Sequence, residues 1–65
     1  MDQKVMELLH KRLGERVATI SESLAGGVAK DYAEYQRLCG VVTGLLTAQR
    51  EIQDLAIQLK ETDED

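Results

Sequence analysis

Residues 25–31, AGGVAKD, decide the fold of this chain. Two adjacent glycines, Gly26 and Gly27, supply the left-handed backbone conformation that closes a helix. Asp31 followed by Glu34 has the spacing of a capping box, with aspartate in place of serine, and so opens a new helix at about Tyr32. Only a few residues separate the two signals. Helices joined so tightly must pack antiparallel, which makes the chain a helical hairpin.

The residues on either side carry the matching periodicity. Upstream, Met6, Leu9, Leu13, Val17, Ile20 and Leu24 recur every three or four positions and fall within roughly 80° of one another at ~100° per residue. Val5 and Leu8 lie on the flank of this seam, and Lys4, Lys11, Glu15 and Glu22 lie opposite. One helix is expected from about Gln3 to about Ala25, interrupted but not broken by Gly14. Downstream, a helix can run from Tyr32 to about Glu61, or ~45 Å against ~35 Å for the first. Its apolar residues are Tyr32, Tyr35, Leu38, Cys39, Val42, Leu45, Leu46, Ile52, Ala56, Ile57 and Leu59. They fill an arc of about 180°, more than one partner helix with a narrow seam can cover.

The expected fold class is therefore all-α: an antiparallel two-helix hairpin that assembles into a homo-oligomeric helical bundle. Length argues the same way. Sixty-five residues form one domain at most and bury too little surface to be comfortably stable alone. A single cysteine cannot form an internal disulfide, and one histidine with one cysteine does not make a zinc site. Self-association is left by elimination. Residues 1–60 form the hairpin, and residues 61–65, ETDED, read as an acidic disordered tail.

Charge narrows the range of partners. The tail holds four of the twelve acids, so residues 1–60 balance eight basic against eight acidic side chains. General nucleic-acid binding through a basic surface is not expected. No apolar run approaches ~18 residues, and no signal-peptide core opens the chain, so no membrane association is expected either. A lone thiol suits a reducing cytoplasm. Catalytic triads, paired catalytic carboxylates and phosphate loops are missing, so the chain is not expected to be an enzyme or to need a cofactor or a metal.

Within the second helix stand two glycines, Gly40 and Gly44, each costing roughly 1 kcal/mol relative to alanine. Gly40 falls on the polar side with Gln36, Thr43, Thr47 and Gln58, and Gly44 and Ala48 lie at the border near Arg37. Two explanations stand side by side. Small residues at Gly40, Gly44 and Ala48 can let another helix approach closely. Alternatively, they can receive a ligand in a groove lined by the Thr43 and Thr47 hydroxyls. At the helix entry, free backbone N–H groups and Lys30 favour an anion, and Tyr32 or Tyr35 can stack on a planar base. Asp31 and Glu34 put negative charge at the same place, and a plain hairpin turn plugged by two tyrosines explains these residues equally well. Cys39 reads as core, His10 as a boundary residue, and Arg16 and Arg50 as surface or inter-helix charges able to reach a phosphate.

The stretch KDYAEYQRLCGVVTGLLTAQREIQDL, residues 30–55, resembles a segment of small helical proteins from tailed bacteriophages of the podovirus type. The shared pattern is matched by Lys30, Asp31, Tyr32, Tyr35, Gly40, Val42, Gly44 and Leu45. The resemblance covers under half the chain. It implies action in the cytoplasm of an infected bacterial host and one of three roles. The first is immune evasion, in which a symmetric oligomer sequesters a cyclic nucleotide defence signal of the CBASS or Thoeris type without cleaving it. Its ligand-binding set would be Lys30, Tyr32, Tyr35, Arg37, Gly40, Thr43, Gly44 and Thr47. The second is a structural or assembly role in the phage particle. The third is inhibition of a host protein through a helical surface.

Overall fold

The computed structural model describes residues 3–63 of the chain, and the side-chain surroundings of residues 3–61. Helix α1 spans Gln3–Ala25 and helix α2 spans Tyr32–Asp63, with no strand among the described residues. They pack along one another as an antiparallel hairpin, a rod of 52 × 16 × 14 Å. Helix α2 continues through Thr62 and Asp63, past the point where the sequence places the start of the acidic tail. Residues 64–65 of that tail lie outside the described residues.

Local chemistry at the joint explains why the chain reverses there. The N–H groups of Gly26, Gly27 and Val28 donate to the carbonyls of Glu22, Leu24 and Ser23 at 2.9, 3.1 and 3.1 Å. The last two bonds form a Schellman closure, and it needs a left-handed residue at Gly27, whose φ is 80°. A side chain there would be strained whatever the space around it. At the start of α2 the Asp31 Oδ1 accepts the Glu34 N–H at 2.8 Å, and the Asp31 carbonyl accepts the Tyr35 N–H at 3.0 Å. Glu34 completes the cap differently from the expected box. Its Oε2 accepts the N–H of Lys30, at 3.1 Å, one residue ahead of the capping aspartate.

The contact between the helices is thin. Met6, 2% exposed, is the one buried residue among those described. Leu13, Val17, Ile20 and Leu24 of α1 are half-buried against Leu38, Val42, Leu45, Ile52 and Ala56 of α2. A long-range side-chain hydrogen bond runs from Gln49 Nε2 to the His10 carbonyl at 2.9 Å. It passes beside Gly14, where a Cβ would lie 2.9 Å from that same nitrogen. In a helix, side chains lean back over the preceding turn. The missing side chain at Gly14 therefore uncovers the His10 carbonyl for Gln49.

Much of the apolar surface remains outside. Val5, Leu8 and Leu9 of α1 are exposed, as are Tyr32, Tyr35, Val41, Leu46, Leu55, Ile57 and Leu59 of α2. One partner helix covers about half of the α2 arc and no more.

Candidate functional site

The eight candidate residues occupy the entry and the first half of α2, and most of them face away from α1. Tyr32 and Tyr35 lie together, with ring centroids 6.4 Å apart and planes at 24°. Tyr32 is 74% exposed, so one face of this pair is open to solvent. The Tyr32 hydroxyl accepts a hydrogen bond from the Gln36 amide, which fixes the ring along the helix.

Tyr35 is held by its other neighbour. A hydrogen bond with the Cys39 side chain raises its pKa above the ordinary value of 10.0, and the charge Cys39 acquires on ionising adds in the same direction. The neutral phenol is therefore favoured to higher pH than in an ordinary tyrosine. In a Tyr32→Phe background, Cys39→Ala is expected to return the Tyr35 titration, followed by tyrosinate absorbance, to the ordinary range. An unmoved midpoint would show that the pair is apart in solution.

The glycines and threonines form one exposed stripe. At about 100° per residue, Gly40, Thr43 and Thr47 cluster on the pole of α2 opposite the α1 contact. A Cβ built at Gly40 or Gly44 meets nothing within 4 Å. Close approach of α1 therefore does not account for either glycine. The threonine hydroxyls are already engaged as donors: Thr43 Oγ1 bonds the Cys39 carbonyl at 3.0 Å, and Thr47 Oγ1 bonds the Thr43 carbonyl at 2.9 Å. What they offer outward is acceptor capacity only.

The cations are not gathered on this stripe. Lys30 sits in the joint, its own N–H held by Glu34. Arg37 lies only two residues from Tyr35, but ~160° away round the helix. The anion-binding potential of the α2 N-terminus is likewise taken up by Asp31 and Glu34. Within one chain the glycines and threonines make an open, uncharged stripe near an aromatic pair, with Lys30 and Arg37 apart from it, and none of the eight lines an enclosed pocket.

Three concavities lie elsewhere, and the candidate residues line none of them. One, of about 500 Å³, is formed on α1 by Arg12, Glu15, Arg16, Thr19 and Ile20. It joins two guanidinium groups one turn apart, a pairing visible in the sequence as arginines at i and i+4. Arg16 is expected from the sequence as a surface or inter-helix charge able to reach a phosphate, and the structure sets Arg12 beside it. Among the described residues no three His, Cys, Asp or Glu side chains are grouped as a metal site requires. No helix of the described residues is long and apolar enough to cross a membrane.

Comparison with known proteins adds no relative. No protein-family model matches the chain. No curated protein matches it. No solved structure matches it either.

Proposed function

We propose that this chain is a non-catalytic binding protein that acts as a symmetric homo-oligomer and holds a cyclic nucleotide signal without cleaving it. The observation that carries this reading is the open space at Gly40 and Gly44. Each glycine costs about 1 kcal/mol of helix stability, and the hairpin itself gains nothing from either. A ligand or a second chain lying against the helix backbone would explain the loss. The stacked, solvent-facing Tyr32–Tyr35 pair favours a planar base at one end of the stripe. Phage origin and immune evasion inside a bacterial host rest on the resemblance of residues 30–55.

A second reading is favoured by a different observation, the large apolar side chains left exposed on both helices. Under it the hairpin is an assembly module of a phage particle or docks on a host protein. A thermal-shift screen against cyclic di- and trinucleotides and cyclic ADP-ribose derivatives separates the two. A ligand present at about 100 times its Kd should stabilise the fold by about 2.7 kcal/mol, many degrees for so small a domain. Gly40→Leu is expected to remove that shift while leaving helicity and assembly size intact, and the ligand should be recovered unchanged after denaturation. No shift from any of these compounds would discard the nucleotide reading in favour of the second.

A further inference from the structure

The hairpin has two sides, and only one carries large aliphatic groups from both helices. Half-buried residues mark the direction from each helix to the other. In an antiparallel pair, a given sense of rotation from that direction leads to the same side of the hairpin on both helices. Glu7, His10 and Gln53 agree with this rule, since they lie on one side of the wheel and line one concavity. At about 100° per residue, Val5 and Leu9 of α1 share a side with Val41, Leu55 and Leu59 of α2. The opposite side has Tyr35, Leu46 and Ile57 on α2, but His10, Gly14 and Ser21 on α1.

We propose that a second copy of this chain covers the side formed by Val5, Leu9, Val41, Leu55 and Leu59, related by a two-fold axis parallel to the helices. This specifies the assembly interface within the self-association put forward above. Area supports a second copy as the occupant. The chain exposes 5184 Å², whereas a compact protein of 7.2 kDa exposes about 4,100 Å². The excess of about 1,000 Å² is close to the roughly 800 Å² each partner buries in a stable interface.

Charge makes the face complementary to itself. Gly14 and Gln49 meet across the hairpin, so two residues outward Arg12 and Glu51 stand at one level. Each lies toward the outer edge of this side, on opposite helices, and too far round to pair within one hairpin. The two-fold axis sets α1 of one copy on α2 of the other. Arg12 of each copy then faces Glu51 of the other, and Val5 and Leu9 meet Leu55 and Leu59. Arg16 of one copy lies against Gly44 and Ala48 of the other. The lack of a side chain at Gly44 gives that guanidinium room, which the contacts within one hairpin do not explain.

Sedimentation of the full chain over a range of concentrations tests this. The wild type is expected at twice the chain mass, and Val5→Glu and Leu55→Glu at the monomer mass; Leu46→Glu, on the other side, should stay dimeric. Because a released hairpin can unfold, the charge pair provides the second test. Arg12→Glu and Glu51→Arg should each weaken dimerisation about tenfold, counting two symmetry-related pairs, and the double reversal should restore it. A monomeric wild type would overturn this interface and self-association together. A dimer that survives Val5→Glu and Leu55→Glu, or that only Leu46→Glu dissociates, would overturn this interface alone.

Discussion

Met6→Ala is expected to lower stability by about 2 kcal/mol, the low end of the range for truncating a buried methionine. Met6 is the single buried side chain of the described hairpin and the point where α1 is pinned to Ile52 and Ala56. The loss falls at the low end because its surroundings open to solvent beside Glu7, His10 and Gln53, so the space left behind can relax or fill with water. For a domain of this size, whose core rarely supplies more than about 3–5 kcal/mol, even that is a large fraction of the total. Met6→Leu keeps the volume and should cost under about 1.5 kcal/mol. Denaturant titration followed by circular dichroism, at one fixed protein concentration so that assembly contributes equally, measures both. If Met6→Ala shifted the transition by less than about 0.5 kcal/mol, the open end of the hairpin would not be held by this contact.

The reversal of the chain was legible because its causes are local. Gly26, Gly27, Asp31 and Glu34 act on backbone groups within five residues of themselves, and the observed hydrogen bonds run over those short spans. Periodicity likewise indicated which face of each helix looks inward. Leu9 departs from it: it belongs to the expected seam yet is 39% exposed, since it lies at the edge of the arc that one partner helix can cover. Gly14 is the instructive miss. In sequence it is an interruption of an apolar seam. In the hairpin it uncovers a carbonyl for Gln49, and that contact links residues 39 positions apart, which no local pattern encodes.

The candidate site was less legible for a related reason. Lys30 and Tyr35 stand near Arg37 along the chain, but a helix sends neighbours in different directions. Tyr35 and Arg37 end on nearly opposite sides of α2. The threonine hydroxyls are spent on carbonyls four residues earlier, a competition that helical threonines commonly enter. What does persist from the sequence reading is the contrast at Gly40 and Gly44, exposed glycines in a helix that would be more stable with alanine. The contacts within one hairpin supply no reason for either.

At Gly14 the effect of substitution should change with side-chain size. Alanine gains about 1 kcal/mol of helix propensity. Its Cβ, however, would sit 2.9 Å from the Gln49 Nε2. That amide is the end of a flexible side chain, so it can swing away, at the loss of a hydrogen bond worth about 0.5–1.5 kcal/mol net. The two contributions nearly cancel, and Gly14→Ala should leave stability within about 0.5 kcal/mol of wild type. Leucine asks for space the joined helices do not have, and overpacking of this kind costs about 1–3 kcal/mol; Gly14→Leu should destabilise by about 2 kcal/mol. The decisive comparison uses Gln49→Ala. Once the amide is gone, nothing opposes the new Cβ, and Gly14→Ala should become stabilising by about 1 kcal/mol. The cycle would then show a coupling of about 1 kcal/mol between two residues distant in sequence. Additive effects would mean that Gln49 does not reach the His10 carbonyl in solution. Gly14 would then be, as its place in the seam first suggests, only a weak point in α1.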